Sequence, residues 1–448
     1  MTVARPLPFF GDRRPEVPVA VTAAGEALTL AEMDAHARAL AAVAGTADAL
    51  VALTDDRLNV AVSLLAALHA DVPCLMPHDH AAETVRRLRR TYPRACFVAD
   101  GDGFETATPV RIDRLSPAPP AGSVPVFPGD RVAARVFTSG STGCPTEHDK
   151  RWAAFADVGD MLGERLPFEA GMRVVATVPG QHVFGLEASI MLPLRAGGLL
   201  QATRPLFPAD IAAALAAGDA PAVLVTTPVH LRALLRSGQA VASPAFVLSA
   251  TAPLDSSLAA HAESVLEAPV YELFGCTEAG AVATRRTAQE SVWQPCRGVR
   301  VRASTGGRAD VTAPYLAEIV RLADRVRVHR DGCFTLEGRE SDLVNVAGKR
   351  GSLGDITARL LALPGVEDAV VHVPAESGNG EVRRLVAFVV APGREAVELR
   401  ACLRDEVDPA FVPRPLVCVE ALPRNAAGKI TRASLEAMYR DHLGEAVS

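Results

Sequence analysis

None of the eight cysteines stands in a Cys-x-x-Cys pair, so neither a zinc site nor a compact disulfide framework follows. They read as isolated reduced thiols, the pattern of a cytoplasmic protein. Basic charge is not in surplus either. The formal net charge of −6 argues against a dedicated nucleic-acid or anionic-membrane binder, since both need basic surface. Long apolar runs are missing. The N-terminus, M-T-V-A-R-P-L-P-F-F-G-D-R-R-P, holds none of signal-peptide length. The longest apolar stretch, Val60 to Met76, is broken by His69, Asp71 and Pro73, so it reads as a buried helix and strand, not a membrane span. There is no G-x-x-x-x-G-K-[ST] Walker loop and no internal repeat.

What remains is a globular composition, 49% hydrophobic and 22% charged, in 448 residues, which is too long for one core and predicts at least two domains. The first three quarters alternate helical and strand patterns. Leu30, Met33, Ala37, Leu40 and Ala44 recur at helical spacing after Thr29, with Glu32 completing a capping box. Asn59 to His69 reads as a second helix, and 49–53, 95–98, 174–178, 222–226 and 246–249 read as strands. Strands interleaved with helices imply an α/β fold whose mostly parallel sheets are covered on both faces. Pro117 to Pro128 reads as a connector. A boundary is expected near Gly338–Asp342, giving a large domain over 1–339 and a small α+β domain over 340–448. Helices are expected over 355–363 and 396–405, with strands over 367–373 and 383–390.

Four segments carry chemistry. Thr138, Ser139, Gly140, Ser141, Thr142 and Gly143 form a run with almost no side-chain bulk, whose backbone N–H groups and four hydroxyls can close around polyphosphate oxygens. Alone, such a run is as readily a flexible connector. Tyr271 to Gly280 reads Y-E-L-F-G-C-T-E-A-G; by itself it could be a strand followed by a Thr-Glu helix start. Asp324, in R-L-A-D-R, precedes Gly338-Arg339 by 14 residues. Leu422 to Arg432, L-P-R-N-A-A-G-K-I-T-R, places Lys429 after a glycine, which alone would be a turn and a solvated lysine.

In this order the four segments resemble those of the adenylate-forming superfamily: acyl- and aryl-CoA synthetases, peptide-synthetase adenylation domains and firefly-type luciferases. The resemblance runs from about residue 15 to 440. It implies a large adenylate-forming domain with a small mobile C-terminal lid, and ATP with Mg²⁺ as cofactors. Residues 138–143 would hold phosphates, Thr277 would lie against the α-phosphate, Glu278 would bind Mg²⁺ and Lys429 would be the catalytic cation. Asp324 would take the ribose hydroxyls and Arg339 the ribose or phosphate. Ala250, Thr251 and Ala252 match the turn that packs on adenine, usually Ser-Gly-Gly-Ala-Pro-Leu, with Glu272, Leu273 and Phe274 as the facing wall. His182, Phe184 and Gly185, with Gly275 and Cys276, would line the acyl pocket, although a lone His is as readily structural. The lid would pivot at Glu340–Ser341 and bring the loop 348–351 to a pantetheine thiol.

Two departures stand out. Thr146 occupies the position of the family's loop lysine; either Lys150, four residues on, replaces it from a flexible loop, or pyrophosphate departure is slower. Leu322-Ala323 stands where Thr-Gly usually precedes the ribose aspartate. The run E-L-F-G-C-T-E-A-G-A-V-A-T-R-R with W-Q-P is similar to AMP-ligases of aryl-polyene and xanthomonadin-type pigment clusters. That similarity implies an aromatic acid passed to an acyl carrier protein or CoA. A fatty acid passed to CoA, or a nucleotide-binding regulatory or scaffold protein without turnover, are the alternatives.

Overall fold

The structure is a computed structural model that describes residues 5–77, 79–101, 109–138, 146–339, 342–346, 349–374, 385–425 and 428–443. The chain divides into two compact units, Met1–Arg300 with Thr312–Val320, and Val301–Val311 with Arg321–Ser448.

The first unit holds a nine-stranded sheet, a five-stranded sheet and a two-stranded ribbon. In the nine-stranded sheet, Val270–Cys276, Phe246–Ser249, Ala222–Thr226, Arg173–Ala176, Leu199–Gln201 and Pro18–Val21 lie side by side in that order and run parallel. Gly280–Arg285 extends it antiparallel beyond Val270–Cys276. In the second sheet Cys96–Ala99, Leu50–Leu53, Cys74–Met76 and Val132–Thr138 are parallel, and Thr146–Arg151 closes the edge antiparallel. Every residue of Ala222–Thr226 is buried, which is why this strand reads as an unbroken apolar run rather than an alternation. The expected strands form, with ends shifted by a residue or two. The expected connector is corrected at its end: Val126–Pro128 is a strand that pairs antiparallel with Pro6–Pro8.

Local signals act as the sequence predicts. Thr29 accepts from the Glu32 N–H while the Glu32 carboxylate accepts from the Thr29 N–H, starting the helix Leu30–Ala44. Asp56 accepts from the N–H groups of Leu58 and Asn59 and starts Arg57–Ala70. This second helix is buried nearly all round, as an apolar helix between two layers must be.

The second unit contains the four-stranded sheet Arg300–Ala303, Arg308–Thr312, Val320–Val328 and Phe334–Arg339. Its C-terminal part pairs Asp368–His372, Val386–Val390 and Leu416–Cys418, covered by the helices Leu353–Ala362 and Ala396–Glu406. Ile356, Leu360, Leu399 and Leu403 pack on Val371, Ala387 and Val389. Met438, on the helix Arg432–Leu443, packs on Val386 and Phe388 from the opposite face. No helix among the described residues is long and apolar enough to cross a membrane.

Candidate active site

Adjacent parallel strands of the first unit end together, and a polar row forms across their carboxyl ends, where ligands bind in open α/β sheets. The register sets Thr226 beside Ser249 and Ser249 beside Glu272. Thr177 Oγ1 lies 2.9 Å from Thr226 Oγ1 and 2.8 Å from His230 Nδ1. Burial, then the nearby Arg204 charge, pushes the His230 imidazole down, so it is neutral at pH 7.

The turn after Ser249 carries Ala250, Thr251 and Ala252. Thr251 has φ of +78°, a left-handed conformation that favours glycine and costs a β-branched residue energy. Its hydroxyl and that of Ser249 are buried without a hydrogen-bond partner among the described residues. Glu272 spends its carboxylate internally: Oε1 accepts from the Leu254 N–H at 2.8 Å, and Oε2 accepts from Thr287 Oγ1 and Arg285 Nε, each at 2.8 Å. Leu273 and Phe274 are buried, Phe274 against Trp293.

Thr277 and Glu278 lie in the turn of a β-hairpin between Val270–Cys276 and Gly280–Arg285, not at a helix start. A bulge between Phe274 and Gly275 re-aims this end of the strand. A Cβ on Gly275 would lie 2.3 Å from the Gly280 carbonyl oxygen, so only glycine fits. Burial pushes the Cys276 thiol up to about 12, which keeps it protonated and unreactive.

Ser139 to Gly143 lie outside the described residues. The strands on either side of them pair with Thr138 opposite Thr146. The second of these strands carries His148 and Lys150 to the hairpin turn: His148 Nε2 is 3.9 Å from Glu278 Oε1, and Lys150 Nζ donates to the Glu278 carbonyl at 2.9 Å. The expectation for Lys150 is therefore corrected. It stands in a strand, with 4% of its surface exposed, and its ammonium is committed to main chain. Burial pushes it down, against the opposing charge of Glu187.

His182 precedes a helical stretch of which Val183–Gly185 is α and Leu186–Met191 is π, the kind of irregular turn often found at functional sites. Phe184 and Gly185 are buried. A Cβ on Gly185 would come within 1.9 Å of the Pro179 carbonyl oxygen. Gly185→Ala should therefore cost about 1–3 kcal/mol of stability by overpacking, seen as a lowered urea midpoint; an unchanged midpoint would show that the chain gives way there freely. The sequence reading missed Glu187, a carboxyl that burial pushes up to about 7. Its signal was available: it is the single charge in the apolar run from Val183 to Leu194.

In the second unit, Asp324 and Arg339 are brought opposite each other across Val320–Val328 and Phe334–Arg339. Glu340 and Ser341 lie outside the described residues, as do residues 347 and 348. Leu343–Val346 and Lys349–Ser352 form a hairpin, in which Gly351 lets Phe411 approach to where a Cβ would stand, 2.6 Å away. Lys429 is exposed on a tight loop, its N–H donating to Asn425 Oδ1 at 2.9 Å. Gly428 sits at φ of +76°, and Arg424 anchors the loop by a two-point pair with Asp368 at 2.6 and 2.7 Å.

Among the described residues no group of three or more His, Cys, Asp or Glu is placed to hold a metal ion. A half-exposed Glu278 carboxylate beside the strands that flank the Thr/Ser/Gly run fits Mg²⁺, which uses one or two protein carboxylates and takes its other ligands from phosphate and water.

Comparison with known proteins identifies the family. A family model of AMP-binding enzymes matches residues 9–308, and one of the AMP-binding enzyme C-terminal domain matches 355–429. The chain belongs to this family, the adenylate-forming enzymes. The 4-coumarate–CoA ligase of Halorhodospira halophila is 30% identical over 308 residues, 65% of this chain and 73% of that protein. The phenyloxazoline synthase MbtB of Mycobacterium sp. (strain MCS) is 28% identical over 86% of this chain, which spans only 37% of the synthase. Two solved structures share the fold over nearly the whole chain. ATP-bound MatB from Rhodopseudomonas palustris has a TM-score of 0.82 at 21% identity, covering 95% of this chain and 96% of its own. The o-succinylbenzoate CoA synthetase of Bacillus subtilis has a TM-score of 0.81 at 16% identity, covering 96% and 98%. By family the protein is an ATP-dependent, AMP-forming acid–thiol ligase.

Proposed function

We propose that the protein adenylates an aromatic carboxylic acid and passes it to the pantetheine thiol of an acyl carrier protein or CoA. The acid's carboxylate oxygen attacks the α-phosphorus of ATP, an acyl–AMP bond forms and pyrophosphate leaves. Attack of an anion on a polyanion is repulsive, so positive groups must offset the charge that develops. Thr138 to Gly143 hold the phosphates, Thr277 lies against the α-phosphate, and Glu278 holds Mg²⁺, which when bound neutralises phosphate charge. Asp324 and Arg339 hold the ribose, and Lys429 supplies the cation at the transferred group. The thiol then displaces AMP to give the thioester. The boundary between the large domain and the lid is placed at 339–340, with Glu340–Ser341 as the pivot.

The observation that supports the site most directly is the Lys150–Glu278 hydrogen bond, which ties the strand leaving the Thr/Ser/Gly run to the Thr277–Glu278 turn. The aromatic acid is supported by the similarity to 4-coumarate–CoA ligase. ATP–pyrophosphate exchange across a panel of aryl and aliphatic acids tests it. Exchange with hydroxybenzoates or cinnamates is the expected result. Exchange with aliphatic acids only would replace aryl by fatty acid, and ATP binding without exchange would overturn the catalytic reading.

A further inference from the structure

We propose that Lys150 is a positioning residue for adenylation: its buried ammonium holds the main chain of the Thr277–Glu278 turn so that the Glu278 carboxylate faces the metal–nucleotide complex. This rests on the reading of Glu278 as the metal ligand.

The turn is fastened from behind by four groups of the first unit, none of them part of the motif that defines it except Cys276. Lys150 Nζ donates to the Glu278 carbonyl at 2.9 Å. The Tyr315 hydroxyl lies 3.2 Å from the Ala279 carbonyl oxygen and 3.3 Å from that of Ala281. Glu187 Oε2 accepts from the Ala281 N–H at 2.9 Å, and Cys276 Sγ accepts from the Ala279 N–H at 3.2 Å. Carbonyls of the turn thus meet donors and its amides meet acceptors, so the backbone has little room to swing. Gly280 completes the fit: at φ of +74° it has no Cβ, and one there would stand 2.4 Å from Glu187 Oε1.

A cation in this position needs explaining. Burying an ammonium costs several kcal/mol unless it is compensated. Here compensation comes from the Glu278 carbonyl, at 2.9 Å, and from the carboxyl groups of Glu187 and Glu278, which favour the charged form. A charge-assisted bond to a carbonyl is shorter and roughly twice as strong as a neutral one, and therefore a better clamp. The same residue leaves the phosphates without a loop lysine at Thr146.

Lys150→Met removes the charge and the donor while keeping the apolar stem. Losing a hydrogen bond from a charged group corresponds to about 10- to 100-fold in an equilibrium. Mn²⁺ binding to the ATP complex, read by electron paramagnetic resonance, should weaken by that factor, with the Mg²⁺ needed for half-maximal exchange rising in parallel. ATP affinity in EDTA should stay the same. In Lys150→Met/Glu278→Gln the Mn²⁺ affinity should be no weaker than in Glu278→Gln alone, because both act through one carboxylate. Unchanged Mn²⁺ affinity in Lys150→Met, or losses that add in the double variant, would overturn the proposal while the metal reading of Glu278 stood. Full Mn²⁺ affinity in Glu278→Gln would overturn that reading, and this one with it. Should Lys150→Met fail to fold, Tyr315→Phe removes a donor from the same turn. A smaller weakening of Mn²⁺ binding is expected from it, and no weakening overturns the proposal.

Discussion

Lys429→Ala should abolish acid-dependent ATP–pyrophosphate exchange, with a loss of about 10²–10³ in rate, the usual contribution of one preorganised charge at a transferring group. ATP affinity should change little, because the phosphate and ribose contacts proposed for the other residues do not involve Lys429. The loop that carries Lys429 is held independently of its side chain: Asn425 accepts from the Lys429 N–H and donates to its carbonyl, and Arg424 is anchored on Asp368. The variant should therefore fold like the parent, and its loss should fall on kcat more than on KM for ATP. Exchange at the parental rate would remove Lys429 from the mechanism. A parental rate in exchange combined with a lost thioester-forming step would move it to the second half-reaction.

The second large effect is on stability. Arg57 is 1% exposed, and its guanidinium donates to four carbonyls. Nη1 reaches Gln201 and Thr203, both at 3.0 Å, and Nη2 reaches Ala176 and Val178, both at 2.9 Å. It thereby joins the ends of two parallel strands just before the Pro179–Glu187 segment. Burial, then the charge of Arg204, pushes the guanidinium down, and Asp56 opposes them. Arg57→Met takes the guanidinium donors from four carbonyls, three of them in buried contacts, at a cost of about 3–5 kcal/mol. Both tryptophans, Trp152 and Trp293, belong to the first unit, so the midpoint of tryptophan fluorescence in urea reads its stability. Arg57→Lys should recover only part of the loss, since a point charge cannot match a planar fork. A parental midpoint in Arg57→Met would mean that water or neighbouring backbone satisfies those carbonyls.

Much of the architecture could be read along the chain. The strands at 50–53, 222–226 and 246–249 are buried on both faces and so appear as short apolar runs. The capping box at Thr29 and Glu32 is a contact between near neighbours, and the helix begins where it predicts. The proposed site residues stand out where residue types recur in a fixed local order, as around Thr277–Glu278 and Lys429. What was not legible was the role of single charges in apolar surroundings. Glu187 and Arg57 look like interruptions of helices, and Lys150 like a mobile cation, until the strands and helices that flank them are assembled.

Local spacing, set by the repeat of helix and strand, determined the α/β class and the element order, and local composition set the motifs. Only the tertiary structure decided which backbone groups those motifs rest on. Lys150 and Glu278 are separated by 128 positions in sequence yet share one hydrogen bond. A buried charge is tolerated only where distant main-chain dipoles converge on it, and that convergence exists once the sheets have packed.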